Sequence, residues 1–147
     1  VSLRRLRAGE LLALAGAACV IVALTLPWYE NASGKLSAWA TFGPAVALLM
    51  LAAAGGLALV LATVTERSTA LPVAAAVWGT LLGFVGVLAA LVRVLERPEH
   101  ASELCAGAWL ALVGAVAILA GCWQAMRDER TERYPPQDIE ARPPPAL

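Results

Sequence analysis

Charge is scarce in this chain wherever a coupled transporter or an enzyme would need it. Lysine and histidine occur once each in 147 residues, and phenylalanine and tyrosine twice each. Four long stretches hold no charged residue: Leu11–Tyr29, Leu36–Thr65, Ser68–Val92 and Leu104–Met126, of 19, 30, 25 and 23 residues. No aspartate, glutamate, lysine or histidine falls near the middle of any of them, and proton or cation coupling ordinarily uses such a group. The net charge is zero, so the basic footprint of a nucleic-acid binder is missing. The three cysteines, Cys19, Cys105 and Cys122, fall at different depths. Cys105 and Cys122 would be about 25 Å apart on one helix, so they offer no disulfide framework. A single histidine, His100, beside Glu99 and Glu103 is a poor zinc signature. It is also the sole base available to Cys105 as a nucleophile. No metal, cofactor or catalytic residue is expected.

What is present is apolar length. The chain is 60% hydrophobic, with a mean hydropathy of +0.72, and about 20 apolar helical residues cross a bilayer core. The uncharged stretches do not alternate as barrel strands do. They predict an all-α fold: an antiparallel up-down bundle of four transmembrane helices at about 8–28, 38–64, 71–95 and 103–126, which leaves no room for a separate soluble domain. Pro27 lies near the end of the first span, and Pro44 near the start of the second, where a helix tolerates it. Ser37 and Ser102 sit where helix N-caps are expected, with Glu103 at the favourable positive end of the fourth span. Pro72 fits the first turn of the third span and Pro98 stops it. Glu66-Arg67 alone separates the second and third stretches, which predicts a tight hairpin. Arg4, Arg5 and Arg7 before an apolar run also suit a signal peptide. The run continues to Trp28 with no small-x-small site near its end, so a retained helix is expected. The segment 130–147, with Pro135-Pro136 and Pro143-Pro144-Pro145, is expected to be a disordered tail.

Orientation follows from the cations. Arg4, Arg5, Arg7, Arg67, Arg127, Arg130, Arg133 and Arg142 would share one side, against Lys35, Arg93 and Arg97 on the other. That imbalance favours cytoplasmic N- and C-termini.

Helix packing inside lipid depends on small residues that let backbones approach. The first span has Gly9 and Gly16, with Ala23 continuing the seven-residue spacing. The fourth has Gly107, Gly114 and Gly121, again seven apart. The third has Gly79, Gly83 and Gly86, and the second Gly55. Seven-residue spacing keeps one face toward a neighbour in a left-handed pair, so the first and fourth spans are expected to pack closely. Gly79 and Gly83 could instead form the seam of a homodimer.

The residues offering contacts to a ligand or lipid lie together at the outer ends of the spans: Trp28, Tyr29, Trp39, Arg93 and Trp109. Amphipathic rings at such positions form an interfacial belt by default. If they converged with Arg93, they would instead line a small aromatic pocket, with guanidinium–indole attraction of about 0.5–2 kcal/mol. Glu10 lies one turn from the basic N-terminus and is expected to partner Arg7 or Arg67.

Pro27-Trp28-Tyr29, Ser37-Ala38-Trp39, Ala70-Leu71-Pro72, Gly107-Ala108-Trp109-Leu110 and Met126-Arg127-Asp128-Glu129 occur in that order over residues 8–129. In this series the chain resembles short four-helix integral membrane proteins of actinobacteria. The resemblance implies a bacterial plasma-membrane bundle and carries no reaction. A claudin-like reading fails on the missing cysteine pair between Trp28 and Trp39. The expected function is that of a structural or accessory membrane protein, working through the lipid bilayer, its own copies in a homo-oligomer, or a larger membrane protein. The alternative is a small oligomeric transporter or channel-like protein for an apolar or amphipathic solute.

Overall fold

A computed structural model of the chain describes residues 6–31, 34–41, 43–65, 70–96 and 103–131. Four helices are long and apolar enough to cross a membrane: α1 (Ala8–Thr25), α3 (Gly43–Thr65), α4 (Ala70–Leu95) and α5 (Ala106–Thr131). A short α2 (Ala38–Thr41) precedes α3. Three strands, β1 (Pro27–Asn31), β2 (Gly34–Ser37) and β3 (Glu103–Leu104), form a small sheet in the order β2-β1-β3. The helices form a ring in which α1 touches α5 and α3, and α4 touches α5 and α3. The sheet lies where α1 ends and α5 begins, and this end of the bundle is called the sheet end below.

The boundaries differ from the sequence expectation at the sheet end, for local reasons, and at the end of α5, which runs past Met126 to Thr131, so that Arg130 and Thr131 of the expected disordered tail are helical. The first span stops at Thr25 rather than Trp28. A residue before proline avoids the helical region, and Leu26 is extended at φ −85°, ψ 159°. The second expected span holds α2 and α3, and residue 42 between them lies outside the described residues. The fourth begins at Ala106 because Glu103 and Leu104 pair with β1. Glu103 is therefore a strand residue, not part of a first helical turn. The expected cap at Ser102, the hairpin at Glu66-Arg67, Pro98, Arg97, the Glu99–His100 loop and residues 132–147 of the tail lie outside the described residues.

The tightest packing joins α1 to α5. A methyl placed on Gly16 would lie 2.6 Å from the Gly114 carbonyl oxygen and 2.7 Å from the Ile118 nitrogen. One on Gly121 would lie 2.5 Å from the Ala13 nitrogen, and one on Gly9 2.8 Å from the Ala125 nitrogen. These are backbone atoms, which cannot rotate away. Gly9 meets Ala125 while Gly16 meets Gly114 and Ile118, so residue numbers rise on one helix as they fall on the other. The pair is antiparallel.

α4 closes the ring in the same manner. Gly79 lies against Gly55 of α3 and the Cys122 sulfur of α5, Gly83 against Leu119, and Gly86 against Ala52. Gly79 and Gly83 are thus occupied within the chain and are not a surface open to a second copy. The centre is filled by Val20, Leu49, Leu59 and Ile118, each 0 or 1% exposed. Large apolar side chains outside this core, such as Ile21, Leu51, Leu61, Phe84 and Val113, cover the outer surface. Thr63 and Thr80 donate to the carbonyls of Leu59 and Ala76 one turn back, which keeps their hydroxyls satisfied within apolar helices.

The charges bracket this surface. The Gly9–Ala125 contact places Arg7 level with Arg127. The Gly79–Cys122 contact, continued along α4 and α5, places Arg93 level with Ala108. From Arg127 to that level is about 28 Å at 1.5 Å per residue, close to the roughly 30 Å hydrocarbon core of a bilayer.

The α1–α5 contact makes a direct prediction. Gly16→Ala should destabilise the bundle by about 1–3 kcal/mol, the ordinary cost of overpacking. Gly43→Ala, where an added methyl meets nothing within 4 Å, should change stability little. Unfolding titrations in bicelles compare the two. Equal midpoints would remove the backbone contact from the account of stability.

Candidate functional site

The residues singled out from the sequence come together only in part. Trp28 and Tyr29 are both fully buried, although adjacent strand residues ordinarily point to opposite faces. The register explains this. Pro27 pairs with Ser37 and Tyr29 with Leu36, so Trp28 is an extra residue, a β-bulge. A bulge bends its strand and re-aims its side chains. After it, regular alternation resumes. Tyr29 sits between half-buried Leu36 and Leu104 on one face, and exposed Glu30 lies between Lys35 and Glu103 on the other. Asn31 pairs with Gly34, which closes the hairpin at φ +130°, a conformation that side chains other than glycine's rarely adopt.

Trp28 plugs the seam between α1 and α5. Its indole N–H donates to the Ala23 carbonyl at 2.7 Å. Its own carbonyl accepts from the Cys105 N–H at 2.9 Å, joining the sheet to the start of α5. Gly107 makes room for it: a methyl there would lie 2.6 Å from the Pro27 oxygen and 2.7 Å from the Trp28 ring. Gly107 therefore seats the plug.

Tyr29 reaches across to α4. Its hydroxyl donates to the Arg93 carbonyl at 2.6 Å. Arg93 lies in the last turn of α4, where carbonyls have no partner within the helix. The phenol is thus a helix C-cap supplied from a strand 64 residues away. Burial raises the phenol's pKa above its ordinary value near 10, and the positive charge of Arg93 partly offsets this. Arg93 is half-buried and continues the inward stripe of Gly86 and Ala90. Its backbone carbonyl takes the Tyr29 hydrogen bond, while its charge favours the ionised phenol and so opposes the effect of burial.

Trp39 and Trp109 do not join this cluster; they are 61% and 52% exposed. Two further tryptophans overlooked in the sequence belong with them. Trp78 and Trp123, 65% and 51% exposed, stand level on α4 and α5, one turn inside Arg127. Four exposed indoles thus form one rim at each end of the apolar surface, and the fifth, Trp28, is interior. Their spacing was readable: Trp109 and Trp123 are two heptads apart on one helix.

The minor candidates resolve simply. Glu10 is buried, and its carboxylate accepts from the Arg7 backbone N–H at 2.9 Å, so it caps the start of α1. All three cysteines are free. Among the described residues, no three metal-ligating side chains come together. No protein-family model, curated protein or solved structure matches the chain.

Two measurements probe the plug. Of the five tryptophans, Trp28 alone should resist quenching by lipids brominated on their acyl chains when single-tryptophan variants are compared in vesicles. Quenching of Trp28 equal to that of Trp109 would place it in lipid. The second concerns pH. Below about pH 10 the phenol is protonated whether the sheet is docked or not, and the bond to Arg93 is intact. As pH rises further, the undocked phenol ionises first, so docking weakens through the raised pKa of the docked form. Phenolate absorbance of the unsubstituted chain, less that of Tyr29→Phe, should therefore rise with a midpoint above 10. A midpoint at or below 10 would contradict a buried, bonded phenol.

Proposed function

We propose that the chain is a structural or accessory integral protein of a bacterial plasma membrane, with both termini in the cytoplasm and no catalytic activity. It works by presenting a rigid apolar surface to lipid, to its own copies or to a larger membrane protein. The observation that carries this reading is the contrast between a filled inside and an apolar outside. Backbones touch along α1 and α5, the centre is packed with fully buried aliphatic side chains, and Trp28 occupies the sheet-end seam. Outside, indole rims border a charge-free band of bilayer height. A solute path through a single copy would have to displace those contacts, which weighs against the transporter alternative in its monomeric form. The side assignment rests on the excess of arginine in the sequence segments that flank the spans on the side of both termini.

Reporter fusions test the orientation. Alkaline phosphatase fused after Lys35 should be active, and fused after Arg130 inactive; the opposite pattern would reverse the chain in the membrane. Native mass spectrometry of the chain released from lipid nanodiscs tests the role. Retained lipid, a defined oligomer or a co-purifying membrane protein is the expected result. A bare monomer, together with solute-dependent flux in proteoliposomes, would replace this reading with the transporter.

A further inference from the structure

We draw no further inference here: the strongest candidate, the exposed ridge of Ala47, Ala54 and Ala58 along α3, is a small-residue face of the sort that lets another helix approach, and nothing in the structure shows what covers it.

Discussion

The architecture depends on the backbone contact between α1 and α5. Lipid is as apolar as leucine, so two helices gain little by exchanging lipid for one another's large side chains. They gain by approaching until dispersion contacts become dense. Gly9, Gly16, Gly114 and Gly121 permit that approach. The contact also fixes the chain on either side of it. The residues leaving α1 and those entering α5 must emerge side by side, so β1 and β3 become neighbours although more than 70 residues separate them. β2 follows β1 through a tight hairpin and takes its free edge. The order β2-β1-β3 follows from the helix pair.

The sheet in turn ties in the helix that the primary contact does not reach. α4 is diagonal to α1 in the ring and follows α3 closely in the chain. Its last carbonyls need donors, and the Tyr29 hydroxyl supplies one, to Arg93. A regular strand would have placed either Trp28 or Tyr29 inside, not both. One inserted residue allows the indole to fill the α1–α5 seam and the phenol to cap α4 from the same stretch of backbone. Each hydrogen bond contributes only about 0.5–1.5 kcal/mol net. Their larger effect is geometric, because three helix ends are held in one arrangement. An open-edged sheet is not tolerated in hydrocarbon, so it also marks where the apolar band stops.

Much of this was legible before any coordinates. Charge-free length revealed four helices, and glycine periodicity pointed to their faces, because both signals are repeated over many turns. The small sheet was not legible. Its strands are five, four and two residues long, too short for alternation to stand out beside 20-residue apolar runs. The turn signal at Asn31–Gly34 was visible, yet a loop between two membrane helices also ends in such residues. Trp28 was misplaced for a related reason. A tryptophan at the end of an apolar run belongs to an interfacial belt by default, and Trp39 and Trp109 follow that default. Whether Trp28 does depends on a one-residue register shift and on Gly107, 79 positions away, having no side chain. Neither is a property of the local sequence.

The placement of the tryptophans bears on where function can reside. An indole rim on the lipid face holds a helix at a fixed depth and tolerates changes in its neighbours. An indole inside a seam does the reverse: it tolerates lipid variation and depends on its neighbours. This chain uses four of the first kind and one of the second. It is therefore fixed in depth and internally rigid at the sheet end, where Trp28 and Tyr29 leave little freedom between α1, α4 and α5. A protein that alternates between two packings needs a contact region that is bistable. Backbone-to-backbone glycine contacts offer few alternatives, since sliding by one residue would drive side chains into the opposing chain. The exposed surface remains as the place where this protein can recognise something, and among the described residues its chemistry there is apolar, Phe84 included, with indoles and cations toward the rims.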